Sequence, residues 1–229
     1  MTFQANSAIL DRKKVAQDAM EVSFRRSPDF NFEAGQYSQI IIPELLYSDP
    51  RGNSRLFSIS SSSNDKERLC IVFRESRSGY KRTLIESSLG HEIVIKGPFG
   101  KDFFLPKGLS RPVVFVAGGI GITPFLSLTN FAIEEKLALQ ITLLYANKSK
   151  DSAVYLDELN KMAERNRNFV LKSKLGLIDE EFLKSGVNNL KDVNWYVAGP
   201  PGMVEKTLIL LSDLGVDKDN IRKERFTGY

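Results

Sequence analysis

Val113-Val114-Phe115-Val116-Ala117-Gly118-Gly119-Ile120-Gly121-Ile122-Thr123-Pro124 is an apolar strand that runs into glycines and then opens a helix. Residues Val113 to Val116 are β-branched or aromatic without polar alternation, the pattern of a parallel strand buried on both faces. Gly118, Gly119 and Gly121 carry no Cβ, so the turn can take positive φ and admit a diphosphate to the backbone. Thr123 is placed to cap the following helix and Pro124 suits its first turn. Amide N–H groups and the positive end of the helix dipole then face the glycines, and an anionic ligand is expected there. The third glycine of the Gly-x-Gly-x-x-Gly fingerprint is missing, because Pro124 takes its place. Alone, such a turn is also a tight strand-to-helix connection.

Downstream of this run, helices and strands alternate: a helix from Pro124 to Glu135, a strand from Gln140 to Tyr145, a helix from Ala153 to Arg165 and a strand from Phe169 to Ser173. A strand from Trp195 to Ala198 and a helix from Met203 to Leu214 complete a β/α rhythm that implies a parallel sheet. Upstream, as far as Pro106, short strands (Tyr37 to Ile42, Leu56 to Ile59, Leu69 to Phe73, Glu92 to Ile95) are separated by turn residues, and only Lys81 to Ser88 reads as helical. The expectation is a two-domain chain: an antiparallel β-barrel over residues 1–108, then an α/β parallel-sheet domain over 109–229, with the boundary at Lys107 to Pro112.

The 229 residues suffice for one large or two small cores. The single cysteine, Cys70, excludes a disulfide framework and a cysteine-ligated iron–sulfur cluster within the chain, and points to a reducing compartment. Met1 to Asn6 shows no basic region followed by an apolar run, and no segment approaches membrane-spanning length, so a cytoplasmic protein without a membrane partner is expected. A net charge of +4 with interspersed signs argues against a nucleic-acid surface, while a local basic face for an acidic protein partner remains open. No Cys/His cluster suggests a metal, and His91, in a predicted turn, is assigned no catalytic role.

Arg55-Leu56-Phe57-Ser58 places a guanidinium and an aromatic ring on one strand face, with a hydroxyl beside them. The guanidinium offers bidentate donors to a diphosphate, and the ring can cover a flat heterocycle. Gly79-Tyr80-Lys81-Arg82-Thr83 is a glycine turn opening a short helix with cations and a hydroxyl at its start. Gly199-Pro200-Pro201-Gly202-Met203 follows a second parallel strand, so it shares the ligand-binding edge of the sheet with Gly118 to Gly121. After the strand ending at Tyr145, Asn147-Lys148-Ser149-Lys150 offers cations and hydroxyls rather than an acid, which suits a ribose 2′-phosphate and favours NADPH over NADH.

These motifs, in this order and over almost the whole chain, resemble the ferredoxin–NADP reductase-like flavoprotein family, whose Arg-x-Tyr-Ser, Gly-x-x-Ser and Gly-Gly-x-Gly-x-Thr-Pro segments match Arg55 to Ser58, Gly79 to Thr83 and Gly118 to Pro124. The resemblance implies FAD in the barrel and NADPH or NADH in the α/β domain. Arg55 would bind flavin phosphate, Phe57 the isoalloxazine, and Ser58 the neighbourhood of the flavin N5. Leu56, Val72, Phe73, Arg74, Gly79, Lys81, Arg82 and Thr83 complete the flavin-binding set. Gly118, Gly119, Gly121, Thr123, Pro124, Asn147, Lys148, Gly199, Pro200 and Met203 form the nucleotide-binding set.

The tail Glu224-Arg225-Phe226-Thr227-Gly228-Tyr229 resembles the family's ending, with Glu224 near the nicotinamide or relaying a proton, and Phe226 or Tyr229 over the flavin. The chain departs from the family pattern at Phe57 (usually Tyr), Arg82 (at the hydroxyl position) and Ala198 (usually Cys). The implied activity is hydride transfer from NAD(P)H to FAD and onward electron delivery, preferentially to a small acidic ferredoxin- or flavodoxin-like protein. The rival readings are the reductase component of an oxygenase, haem or ferric system, and a non-catalytic nucleotide-binding module.

Overall fold

A computed structural model describes residues 3–106, 108–109 and 111–226. Strands β1 (Phe3–Ala16), β2 (Ala19–Arg25), β3 (Tyr37–Ile41), β4 (Ser54–Ser58), β5 (Arg68–Arg74) and β6 (Glu92–Phe99), with helix α1 (Gly79–Glu86) between β5 and β6, form the first half. They make one six-stranded antiparallel sheet in the order β4-β3-β6-β1-β2-β5. Long β1 serves two neighbours: Phe3 to Ala8 pairs with β6, and Ile9 to Ala16 pairs with β2, with register shifts at Ile9/Asp11 and Lys14/Ala16. Such bulges bend a strand and raise its twist. The sheet therefore curls until an Ile59–Ile71 bridge, reinforced by the Ser60 amide donating to the Cys70 carbonyl at 2.8 Å, joins its outer strands into a barrel. Neither β1 nor β2 is among the strands read from sequence; Asp11-Arg12-Lys13-Lys14 hides the pattern of β1.

Strands β7 (Val113–Gly118), β8 (Ile141–Asn147), β9 (Phe169–Leu175), β10 (Asn194–Gly199) and β11 (Ile221–Arg225) form a parallel sheet in the order β11-β10-β7-β8-β9. Helices α2 (Thr123–Glu134), α3 (Leu156–Arg165), α4 (Glu180–Ser185) and α5 (Pro201–Asp213) cover it. Every residue of β7 and β10 is buried, as the unalternating apolar run at Val113 requires. One face of the sheet carries Val114, Val116 and Trp195, in one cluster with Leu183 of α4 and Val204 and Leu211 of α5. The other carries Phe115, Leu143 and Tyr196, in a cluster that includes Phe125 of α2 and Leu159 of α3 and extends to Ala19 and Val72 of the barrel. Phe103 lies 5.5 Å from the Phe125 ring and edge-on to Tyr196 at 5.4 Å, and the Tyr196 hydroxyl donates to the Phe104 carbonyl at 2.8 Å. One continuous core thus fixes the barrel against the sheet. Strand order reverses at β7, so the carboxyl ends of β7 and β10 open the crevice where open α/β sheets bind ligands. No helix among the described residues is long and apolar enough to cross a membrane.

Candidate cofactor cleft

A cavity of about 610 Å³ separates the barrel from the parallel sheet. Its walls include Arg55, Leu56, Phe57 and Ser58 of β4, Val72 and Phe73 of β5, Lys81 of α1, Thr123 of α2, Glu224 of β11, and Phe226. The cleft thus gathers residues from both halves of the chain. Within β4, Arg55 and Phe57 share a face, as the strand period requires: the Arg55 guanidinium lies 4.9 Å over the Tyr80 ring, and Phe57 stacks on Tyr80 at 6.1 Å. Leu56, on the alternate face, is 60% exposed.

Glu224 reaches the cleft because β11 adds to the sheet edge in register with β10, Glu224 opposite Ala198. The Phe226 amide continues this ladder by donating to the Gly199 carbonyl at 2.9 Å, which ties the tail to the second glycine turn. The Ser58 hydroxyl donates to Glu224 Oε1 at 3.1 Å across the two domains, and Glu224 Oε2 is buried with no partner among the described residues. Burial pushes the Glu224 carboxyl up to about 7, moderated by the Ser58 hydrogen bond. Sequence reading did not find β11, because Arg222-Lys223-Glu224-Arg225 is charged throughout and the strand packs only by its ladder and one face.

At the α1 end of the cleft the expected assignments change. Arg55 lines the cavity, but its Nη2 donates to Asp49 Oδ1 at 2.7 Å and its Nη1 faces the carbonyls of Arg51, Gly52 and Ser54. Gly79 gives passage to the chain rather than to a ligand: a Cβ there would sit 2.6 Å from the Tyr47 carbonyl and overlap that of Ser48. Thr83 is fully buried, its hydroxyl donating to the Gly79 carbonyl and accepting from the Leu46 amide, so it is a joint between α1 and the preceding loop and not a phosphate ligand. Arg82 is also corrected: it lies over the Tyr47 ring and pairs with Glu86, away from the cleft. Lys81 alone of this group lines the cavity, its ammonium donating to the Arg74 carbonyl at 2.9 Å. Burial, and then the charges of Arg51 and Arg55, lower its pKa, the sign of a cation cluster that favours an anion. Tyr37, Gln39, Arg51, Asp49 and Lys223 are participants that no motif marks.

The second site lies at the carboxyl ends of β7 and β10. Gly121 is required for the close approach of the two turns, since a Cβ would overlap the Ala198 carbonyl and sit 2.6 Å from Gly199 Cα. Met203 covers Gly118 and Gly199, and Pro200 packs beside them. A 3₁₀ turn over Gly119–Ile122 precedes α2, so the cap position falls on Ile122. Thr123 is therefore not the helix cap: it is buried, and its hydroxyl donates to the Ile120 carbonyl at 2.8 Å. Pro124 occupies the first turn as expected. Arg74, ion-paired with Asp18, reaches from the barrel to within 3.6 Å of the Cβ direction of Gly119. Asn147 is buried at the end of β8, its Oδ1 without a partner among the described residues, and Lys148, Ser149 and Lys150 follow it exposed. Tyr229 lies outside the described residues. The thiol of Cys70 is pushed up to about 12, chiefly by burial, which makes it unreactive.

The cleft suits a flavin chemically. Phe57, Val72, Phe73 and Phe226 offer apolar surface for a heterocycle, Ser58 and Glu224 a hydroxyl–carboxyl pair, and Arg51, Arg55 and Lys81 positive charge for phosphate. Comparison with known proteins bears on the fold and on the second half of the chain. Residues 115–208 match the family described as oxidoreductase NAD-binding domain. The chain is 27% identical over 227 residues to the reductase component of propane 2-monooxygenase from Rhodococcus jostii, covering 90% of this chain and 60% of that protein. It is 28% identical over 238 residues to a flavohemoprotein of Oceanobacillus iheyensis, covering 93% and 57%. The chain thus spans about three fifths of the length of these curated relatives. Among solved structures, a cytochrome P450 reductase from Amycolatopsis superposes with a TM-score of 0.85 at 20% identity, covering 99% of this chain and 71% of that one. The ferredoxin-NADP+ reductase of Plasmodium falciparum superposes with a TM-score of 0.79 at 20% identity, covering 97% and 96%. The barrel followed by a parallel sheet is thus the fold of these solved reductases, and residues 115–208 carry the pattern of an oxidoreductase NAD-binding domain.

Proposed function

We propose that the chain is an NAD(P)H-dependent, FAD-containing reductase, with FAD in the cleft and the nicotinamide nucleotide at the two glycine turns. The observation that carries this reading is the Ser58–Glu224 hydrogen bond, which joins barrel and parallel sheet inside a cleft that has aromatic walls and a cationic end. Held by the β4 and β5 walls and the Arg51, Arg55 and Lys81 cations, the flavin would supply the redox chemistry between a hydride donor and an electron acceptor. Phe57 and Phe226 exclude water from the cleft and present flat apolar surface. Arg55 and Lys81 offset phosphate charge. Near neutral pH, Glu224 is poised between its two protonation states and exchanges a proton with the cleft through the Ser58 hydroxyl.

Gly118 to Gly121 and Gly199-Pro200 receive the nucleotide diphosphate, and exposed Lys148 and Lys150 favour the 2′-phosphate of NADPH. The acceptor is a small acidic redox protein, a reading supported by Arg51, Lys223 and Arg225 on the cleft wall. The names of two relatives, a monooxygenase reductase component and a flavohemoprotein, favour a second reading in which the chain serves an oxygenase or haem partner. Stopped-flow mixing of the FAD-reconstituted chain with NADH and NADPH tests both, followed by mixing with acidic ferredoxins, flavodoxins or haem proteins. Bleaching of the flavin absorbance, faster with NADPH, is the expected result. A chain that takes up no flavin would instead be a non-catalytic nucleotide-binding module.

A further inference from the structure

We propose that Asp49 competes with the phosphate of a bound flavin for Arg55, and thereby sets the affinity of the cleft for phosphate-bearing flavins relative to riboflavin; the inference rests on the flavin reading above. Asp49 lies in the loop between β3 and β4 with a side chain only 3% exposed, against 12% for Arg55. Its carboxylate is fully engaged. Oδ1 accepts from Arg55 Nη2 at 2.7 Å and the Arg51 amide at 2.9 Å; Oδ2 accepts from the Ser78 hydroxyl at 2.6 Å and the Tyr80 amide at 3.0 Å. The carboxylate therefore sits at the N-terminal end of α1, where the dipole and the amide groups favour an anion. These hydrogen bonds, Ser78 foremost, hold the Asp49 carboxyl well below the usual carboxylate range, so it remains charged at neutral pH.

The donor inventory of Arg55 shows the consequence. A guanidinium has five N–H groups in a fixed fork. Both on Nη1 face the carbonyls of Arg51, Gly52 and Ser54, at 2.9, 3.0 and 2.7 Å, and one on Nη2 is given to Asp49. A ligand in the cleft meets what remains: Nε–H and one Nη2–H, on a cation whose charge a carboxylate already offsets. A phosphate that approaches Arg55 also approaches Asp49, and their repulsion opposes the attraction of the guanidinium. Lys81 and Arg51 line the same cavity, so phosphate binding is weakened and not abolished. Riboflavin has no phosphate and does not feel this competition.

Flavin fluorescence titrations of the apo chain with riboflavin, FMN and FAD, for wild type and Asp49→Asn, test the proposal without any turnover assay. The asparagine keeps the shape and the acceptor oxygen but removes the charge. Asp49→Asn is expected to tighten FMN and FAD about tenfold and to leave riboflavin within about twofold. Unchanged or weaker FAD binding, or a parallel change in riboflavin, overturns the proposal. If thermal melting shows that Asp49→Asn does not fold, Ser78→Ala decides, since it keeps the charge but removes one donor that offsets it, leaving the carboxylate freer to hold Arg55 and repel a phosphate. Weaker FMN and FAD binding with riboflavin unchanged is expected there, and unchanged or tighter FAD binding overturns the proposal. Failure of every flavin to bind wild type would remove the flavin reading itself.

Discussion

Helix α1 begins at Ser78, whose hydroxyl accepts from the Lys81 amide while Asp49 takes the Tyr80 amide; α2 and α5 begin at Ile122 and Pro200 with no side-chain cap. All three helices open toward the cleft or the crevice beside it. A cap contributes about 1 kcal/mol, so α1 is satisfied from within the protein and serves as a structural joint for the 44–53 loop. The starts of α2 and α5, beside Gly118 to Gly121 and Gly199, have no such side-chain cap, and under the proposed function they receive the nucleotide anion. Similar glycine-and-hydroxyl sequences thus differ in structure: one receives the chain's own carboxylate, the other has no side-chain cap.

The strongest way to break this contrast is Gly121→Ala. Its methyl group would overlap the backbone of Ala198 and Gly199, so the two turns must part. A loss on the order of 4 kcal/mol and of nucleotide binding is expected in thermal melts and NAD(P)H titrations. Gly119→Ala, whose nearest neighbour is the end of Arg74, should cost only about 1 kcal/mol despite its positive φ.

Glu224 tests the seam between the halves. Its carboxyl titrates near 7 in the folded chain, above the ordinary 4.5, so folding disfavours the charged form. The resulting penalty is absent below the ordinary value, grows as pH rises, and is complete above about 7. Glu224→Gln should therefore stabilise the flavin-free chain by up to about 3 kcal/mol at pH 8 and leave it unchanged near pH 4. In the FAD-reconstituted chain, under the proposed reductase function, it should also remove the decline in acceptor reduction expected as pH rises through neutrality. A pH profile identical to wild type would take Glu224 out of the proton path.

Thr83→Val probes the self-capped helix. It abolishes the hydroxyl that accepts from the Leu46 amide, and a cost of about 1–2 kcal/mol in urea unfolding is expected with unchanged FAD affinity. Weaker FAD binding at unchanged stability would return Thr83 to the phosphate set. The last test concerns the open end. Replacing Lys148 and Lys150 with Ala should raise KM for NADPH about tenfold with little change for NADH, and an equal effect on both would refute a 2′-phosphate role.

The motif-bearing residues were legible because their chemistry is local. Val113 to Gly121 announces a buried strand and a glycine turn whatever surrounds it, and Arg55 to Ser58 announces a guanidinium and a ring on one face. β1 and β11 were not legible, since Asp11 to Lys14 and Arg222 to Arg225 carry no apolar alternation and become strands through their ladders, with adjacent β2 in one case and with β10 in the other. The roles of Thr83, Arg82 and Gly79 were misread for a related reason. Spacing within a helix does not reveal that Tyr47 to Asp49 fold across its start.

A strand-rich half followed by a β/α half, the glycine turns, and the residue types suited to a flavin and a nucleotide can be read from the amino acids alone, because each follows from side-chain period and backbone freedom. That Glu224 meets Ser58 and that Asp49 holds Arg55 emerges from the folded chain. The first contact joins residues 166 apart in the chain and the second closes a loop between residues 6 apart, and the protonation and charge of both depend on burial and neighbours that no local pattern encodes.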